Sequence, residues 1–232
     1  MSKMLIQLTI SQSELFSSWF AEDVAELVEV ADLITIDAGA CLAHAGECTD
    51  YLYLLASGSV RLTRPMPSGL DIGGKPLLPG DFHGLEQLIT QQSFIFTATC
   101  REKCILVRIP GGFIIKMVSK SGRLFFPLFS ASYRQYVMLL DCYASAALYS
   151  VRARVAAMLT SIGVRTRPRS SLPYVCLSQD EIASMLGTRR QVINRALKSL
   201  EMEGAIVSKY GRILLVDIQK LEKLSRDEDV HP

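Results

Sequence analysis

The sequence is short of net charge, of histidine and of long apolar runs, and each shortage removes a class of function. Against 25 Lys and Arg stand 23 Asp and Glu, a formal charge of only +2 over 232 residues, so total charge points to no partner. No apolar run reaches the roughly 18 residues of a membrane span, and no membrane partner is expected. The N-terminus, Met1-Ser2-Lys3-Met4-Leu5-Ile6, has neither the long apolar stretch nor the small-residue cleavage site of a signal peptide. A cytoplasmic protein is therefore expected, with its six Cys mostly reduced. Only His44, His83 and His231 are present, with no His-x3-His spacing and no phosphate-loop pattern. No catalytic set and no metal-ligand set emerges, which argues against an enzyme. What is there is ample apolar material, 49% of the chain, enough for two domains of about 100–150 residues.

The most informative stretch runs from Ser178 to Leu200. Ser178 is placed as a helix N-cap, with Glu181 three residues on as its reciprocal partner. Ile182, Ala183 and Leu186 share one apolar face, and Gly187 supplies a tight turn. A second apolar face follows at Val192, Ile193, Ala196, Leu197 and Leu200. Between those positions stand Arg189, Arg190, Gln191, Asn194, Arg195 and Lys198, preceded by Thr188 and, at the first helix, by Ser178 and Gln179. Arg, Gln and Asn can make paired hydrogen bonds to base edges, and Arg and Lys can pair with phosphate. An apolar back and a basic, amide-rich front suit the recognition helix of a helix-turn-helix. A plain solvated helix hairpin would leave unexplained why the cations gather at the start of the second helix. It would also leave unexplained the segment Glu203–Val216, two β-rich runs around a turn carrying Lys209 and Arg212. That pattern predicts the wing of a winged helix with two cations placed for phosphate.

Charge is distributed accordingly. Residues 1–110 carry 7 Lys and Arg against 13 Asp and Glu, a net of −6, whereas residues 165–226 carry 12 against 6, a net of +6. An acidic half joined to a basic half suggests a sensing or docking domain followed by a nucleic-acid module.

Between Leu33 and Ile109 short apolar runs alternate with Gly, Pro and Asp: Tyr51–Ala56, Val60–Thr63, Phe94–Cys100 and Cys104–Ile109, punctuated by glycines at 39, 46, 58, 80 and 84. Short strands so spaced predict a sandwich or jelly-roll-like barrel. The insert Pro65-Met66-Pro67-Ser68-Gly69 predicts an exposed hairpin loop. The pattern Gly39-x6-Gly46-x3-Asp50-Tyr51-x-Tyr53-Leu54-x2-Ser57-Gly58-x-Val60-Arg61-Leu62 resembles a cyclic-nucleotide-binding β-roll, and Pro79-Gly80-Asp81-Phe82-His83-Gly84 resembles the turn that opens its effector pocket. With the winged helix at its expected place, residues 20–224 resemble the catabolite-activator/fumarate-nitrate-regulator (CRP/FNR) family. The resemblance implies an α+β chain: a jelly-roll-like sensor domain over 1–120, a dimerisation helix over 121–149 and a winged helix-turn-helix DNA-binding domain over 150–232.

The effector region departs from the family pattern. Members that bind cyclic AMP resemble one another in a Gly-Glu-Leu after the Gly-Asp-Phe turn and an Arg-Ser pair some ten residues later. The Arg holds the cyclic phosphate and the Glu holds the ribose. Here Gly84-Leu85-Glu86 displaces the acid by one position, and Phe94-Ile95-Phe96 stands where the Arg-Ser pair would fall. A buried phosphate without a cation costs several kcal/mol, so no cyclic nucleotide is expected. Gly84, Leu85, Glu86, Phe94, Phe96 and Thr97 are left either to line an apolar small-molecule pocket or to fill it with their own side chains. A cyclic-nucleotide-type signalling subunit and a haem- or redox-sensing regulator are the alternatives. His44 and His83 could ligate haem by resemblance to some relatives, but structural roles suit them better, and no cofactor is expected. The first cysteine is Cys41, so the N-terminal cysteine group of cluster-bearing members is missing. Cys100 and Cys104 read as core residues.

Residues 128–148 contain no Gly or Pro, and Pro127 suits a first helical turn. Tyr133, Val137, Leu140, Ala144 and Ala147 form one apolar stripe; Phe129, Ser132, Tyr136, Leu139, Tyr143 and Ala146 form another. One stripe is expected to cover the roll and the other to meet a partner, although a helix buried wholly in its own subunit would read similarly. The family resemblance implies parallel pairing in a homodimer, with Phe129, Ser132, Tyr136, Leu139, Leu140 and Tyr143 at the seam. A further helix is expected from about Ser150 to Val164, followed by an exposed basic loop, Arg165–Pro173, a region that in relatives can touch RNA polymerase. The expected partners are double-stranded DNA with two-fold symmetry and a second copy of the chain.

Overall fold

The computed structural model describes residues 2–67, 71–165, 172–209 and 211–226. The chain opens with two helices that the sequence patterns had not suggested, α1 (Ser2–Gln12) and α2 (Ala21–Val30). There follow β1 (Asp32–Ile36), β2 (Cys41–Ala43), β3 (Tyr51–Ser57), β4 (Val60–Pro65), β5 (Asp71–Gly73), β6 (Phe82–His83), α3 (Leu85–Thr90), β7 (Thr97–Cys100), β8 (Cys104–Pro110), α4 (Gly111–Lys120) and the long α5 (Phe125–Leu148). The C-terminal elements are α6 (Val151–Arg165), β9 (Tyr174–Val175), α7 (Gln179–Leu186), α8 (Arg190–Met202), β10 (Ile206–Lys209), β11 (Arg212–Leu215) and α9 (Ile218–Leu224). The α+β expectation holds. Two units result, one of Met1–Pro65 with Gly74–Val137 and one of Met66–Gly73 with Met138–Pro232.

Period-two alternation organises the roll. Its sheets run in the orders β1-β8-β3-β6 and β2-β7-β4-β5. Along β3, Leu52 and Leu54 face one apolar cluster while Tyr53 and Leu55 face another. Along β8, Val107 and Ile109 join the first, and Cys104 and Leu106 the second. The first cluster is closed by Ile6, Ile10, Phe16, Trp19, Leu27, Ile114 and Leu128, so helices cover the outer face of the sheet. The second lies inside the roll, with Ala43, Val60, Phe94 and Ala98. A strand whose alternate side chains are both buried needs this double cover.

One expected strand is shorter than its apolar run. The run Phe94–Cys100 enters the ladder only at Thr97. Phe94 spends its backbone elsewhere, donating N–H to the Glu47 carbonyl and accepting from Gly46 N–H, each at 2.8 Å. Its side chain is buried without its backbone being in a sheet, which an apolar run cannot distinguish from a strand.

Helix α5 spans 24 residues, about 36 Å, and starts three residues earlier than expected, with Pro127 in its first turn. The inward face is neither of the two expected stripes. Leu128 and Ala131, three residues apart, reach the core, following Leu124 in the turn just before the helix. Phe129, Tyr133, Tyr136, Leu139, Leu140 and Tyr143 are all exposed, Tyr143 at 77%. Ser132 and Val137 are half-buried. The helix is apolar nearly all round, so spacing alone could not select the face that the roll takes.

In the C-terminal unit α6 packs against α7, α8 and α9. Ala153, Val155, Ala156, Leu159 and Ile162 are buried on α6, as are Ile193, Ala196, Leu197 and Leu200 on α8. A three-stranded sheet, β10-β11-β9, completes the unit. Strand β9 was not anticipated, since two residues are too few for a pattern. Of the loop expected over 165–173, residues 166–171 lie outside the described residues, as do Ser68, Gly69, Tyr210 and His231.

Candidate nucleic-acid interface

The α7–turn–α8 hairpin is built from local signals. Ser178 Oγ accepts from the Glu181 N–H at 3.2 Å, while Glu181 Oε2 accepts from the Ser178 N–H at 2.8 Å. This capping box satisfies two of the donors that a helix start leaves open. Helix α7 ends at Gly187, whose φ of 63° is a left-handed conformation that a side chain would strain. Two cations secure the helix ends. Arg154 Nη2 donates to the Leu186 carbonyl at 2.8 Å, and Arg152 Nη1 meets Glu203 Oε1, at the C-cap of α8, at 2.8 Å. Lys220 Nζ also donates to the Glu203 carbonyl.

With Ile193, Ala196, Leu197 and Leu200 facing inward, α8 turns Arg190, Gln191, Arg195 and Lys198 to solvent. Arg189, at its N-cap, is exposed too, and no side chain caps this helix start. Thr188 and Asn194 are half-buried, as is Gln179 at the other helix's start — a correction of emphasis for Asn194, whose side chain is only partly on the open front. Arg189, Arg195 and Lys198 have no acidic partner within ion-pair distance among the described residues, whereas Arg190 lies 3.4 Å from Asp180. The wing forms as expected: β10 and β11 pair antiparallel with Lys209 opposite Arg212. The two wing cations differ, however. Lys209 is exposed and without an acidic partner among the described residues, whereas the Arg212 guanidinium lies 4.8 Å from the Tyr174 ring centroid. Strand β9, which carries that ring, was missed, and so was this contact.

Two family models match this chain, a cyclic nucleotide-binding domain over residues 33–121 and a Crp-like helix-turn-helix domain over residues 153–224, together more than half of its length. The chain belongs to the CRP/FNR family. Among curated relatives, the transcriptional regulator LdrP of Thermus thermophilus is 26% identical over 77% of this chain and 89% of its own length. The nitrogen fixation regulation protein FixK of Azorhizobium caulinodans is 26% identical over 77% and 73%. The CRP-like cAMP-activated global transcriptional regulator of Mycobacterium tuberculosis is 22% identical over 94% and 98%. In fold, the solved structure of FixK2 from Bradyrhizobium japonicum superposes with a TM-score of 0.75 at 22% identity, over 84% of this chain and 97% of that one. This chain is thus a CRP/FNR-type transcription regulator with a DNA-binding helix-turn-helix.

Within the CRP/FNR roll, the six effector-region residues do not converge. Leu85 belongs to the apolar cluster under the helices, Phe94 to the one inside the roll. Phe94 is 3% exposed and stacks on His83, with ring centroids 4.6 Å apart and planes 12° from parallel. Gly84 has φ 102°, and a Cβ there would come within 2.7 Å of the Tyr51 carbonyl oxygen. Glu86, in the first turn of α3, accepts from Ser132 Oγ at 3.4 Å, and Thr97 Oγ1 accepts from the Ala45 N–H at 3.1 Å. Phe96 is half-buried. None of the six residues is a cation.

Burial lowers the His83 imidazole to a pKa of about 4, so the ring is neutral, and its buried Nε2 has no hydrogen-bond partner. His44 is exposed, 3.5 Å from Cys41 Sγ through Nδ1. Cys100 and Cys104 are core residues, as expected. Burial and then the neighbouring Cys104 push the Cys100 thiol up to about 12, and burial raises Cys41 also. Thiols held protonated are poor nucleophiles. Cys48, Cys142 and Cys176 are exposed. Among the described residues no group of three or more His, Cys, Asp or Glu could hold a metal ion, and no helix is long and apolar enough to cross a membrane.

Proposed function

We propose that the protein acts as a homodimer on a two-fold symmetric DNA operator, placing two α8 helices in successive major grooves about 34 Å apart. The observation that carries this reading is the α8 front, where Arg189, Arg195 and Lys198 stand exposed, without acidic partners among the described residues, beside Gln191 and Arg190. In the same reading Ser178, Gln179, Thr188 and Lys209 contact phosphate and Asn194 supports the base contacts. Arg212, engaged with Tyr174, is the lesser wing cation. The exposed row Phe129, Tyr136, Leu139, Leu140 and Tyr143, with Ser132 beside it, supports pairing of two α5 helices. Chains so assembled act on DNA in the cytoplasm, without enzymatic turnover, and RNA polymerase is the further partner that the family suggests.

Control by cyclic nucleotide is not part of this proposal. Phe94, buried in the roll, stacks on His83, and none of the six effector-region residues is a cation that could meet a cyclic phosphate. A signal that enters there is an apolar small molecule that displaces Phe94 and favours one arrangement of the chain over another. No haem or metal is expected to be retained.

Selection of DNA from random duplexes by the purified protein, followed by sedimentation of the complex, tests the reading. Inverted half-sites bound by two chains support it. A single asymmetric site bound by one chain overturns the dimer, and absence of any selected sequence overturns the DNA reading. Titration calorimetry with cyclic AMP and cyclic GMP at millimolar concentration tests the signal. Heat at one nucleotide per chain, with tighter operator binding, defeats the exclusion. An absorption spectrum of freshly purified protein checks for haem.

A further inference from the structure

Arg190 differs from the other cations of the α8 front in having an acidic companion. Its Nη1 lies 3.4 Å from Asp180 Oδ2, and both side chains are about two-thirds exposed, at 65% and 67%. Asp180 sits in the first turn of α7, Arg190 at the first position of α8, so the pair bridges the two helices across the Gly187 turn. As a source of stability such an exposed pair is worth little. Its position is the more consequential property, because a carboxylate at the front of a DNA-binding surface opposes phosphate wherever that surface lands.

Two consequences follow from the chemistry. A guanidinium presents five N–H donors on a rigid plane, and a single contact through Nη1 leaves a second donor edge open. Guanine offers O6 and N7 to just such an edge in the major groove. The carboxylate thus restrains the Arg190 side chain while leaving its base-reading edge available. It also offsets the positive charge of Arg190 toward phosphate, and phosphate neutralisation is what drives sequence-independent binding. Arg189, Arg195 and Lys198, without such a partner among the described residues, keep their full attraction for the backbone. We propose that Asp180 is a positioning residue that commits Arg190 to reading a base rather than gripping phosphate, and so raises the operator's advantage over other DNA. This rests on the reading that α8 enters the major groove.

The test uses the full-length protein and the operator that it selects. Affinity is measured against salt for that operator, for its single-base-pair variants and for mixed-sequence duplex, with wild type, Asp180→Asn, Asp180→Glu, Arg190→Ala and the double variant Asp180→Asn/Arg190→Ala. Asp180→Asn should bind mixed DNA about five- to tenfold more tightly, with a salt slope steeper by about one unit. Operator affinity should change less, so the ratio of operator to mixed binding falls roughly tenfold, and the loss should concentrate at one base pair of each half-site. In the Arg190→Ala background the same change should leave discrimination at that base pair unaltered, and Asp180→Glu should preserve the wild-type ratio. An unchanged ratio in Asp180→Asn, or a loss that persists without Arg190, overturns the positioning role and leaves Asp180 a general phosphate repellent. If the wild type selects no sequence, the groove-reading model itself falls, an outcome visible before any variant is compared.

Discussion

Helices α5 and α8 each turn a broad exposed face to solvent, and the two faces have opposite chemistry. On α8 the buried side is aliphatic and the open side is Arg, Gln and Lys. On α5 the buried side is narrow, Leu128 and Ala131, and the open side is Phe, Tyr and Leu. A cationic, amide-rich face loses little by remaining in water and gains by meeting phosphate and base edges. An aromatic face loses about 25 cal/mol for each Å² of apolar surface left wet, so it gains most from a dry partner. Exposure by itself therefore identifies a surface as unfinished, while its chemistry identifies what completes it.

The sharpest way to break this contrast is to give α5 the polarity of α8. Leu139→Asp, at the centre of the proposed seam, would bury an unpaired carboxylate at a cost of about 3–5 kcal/mol. Sedimentation should then find a monomer, with operator affinity down by more than about 100-fold. A dimer of unchanged affinity would move the interface off this face.

A second test contrasts the two units. His83 is held neutral, with a pKa of about 4 against about 6.5 in the unfolded chain. A depressed histidine pKa means that the unfolded chain takes up the proton first. Stability from this group is complete above pH 6.5 and declines as pH falls toward 4, by about 3 kcal/mol in all. Trp19, the single tryptophan, lies in the core under the roll and reports this unit by fluorescence. Its denaturation midpoint should fall over that window, and His83→Phe should flatten the decline. An equally steep decline in His83→Phe would assign the effect to other groups.

Smaller effects belong to α8 and the wing. Gln prefers adenine, whereas Glu accepts from cytosine, so Gln191→Glu should move selection at one base pair toward G·C by about 1–3 kcal/mol. Identical selected sequences from both proteins would remove Gln191 from the base-reading set. Lys209→Ala should weaken binding to all sequences alike and lower the salt slope by about one unit. A loss confined to particular sequences would mean that the wing reads bases.

The winged helix was legible because its signals are local. The Ser178–Glu181 capping box, the Gly187 turn and the apolar spacing of α8 each act within a few residues. Strands β3, β4, β7 and β8 of the roll were legible from short apolar runs and the glycines between them, but their order in the two sheets was not. What failed to show depends on distant partners. Helices α1 and α2 cover a sheet whose exposed face cannot be read from either element separately. The inward face of α5 is chosen by what the roll offers, not by which α5 residues are apolar. The Phe94–His83 stack joins a residue on β6 to one in a loop before β7, and the Tyr174 contact to Arg212 needs a strand only two residues long.

The cationic fastenings that α6 extends to the ends of α7 and α8 have a mechanical consequence. Arg154 grips the last carbonyl of α7 and Arg152 the C-cap of α8, so neither helix can pivot without pulling a charged hydrogen bond out of a half-buried setting. The reading head is in effect a stiff casting. In the proposed dimer, a signal that leaves these fastenings intact would act by changing the gauge between two such heads. The duplex, with its fixed pitch, then serves as the ruler against which that gauge is measured.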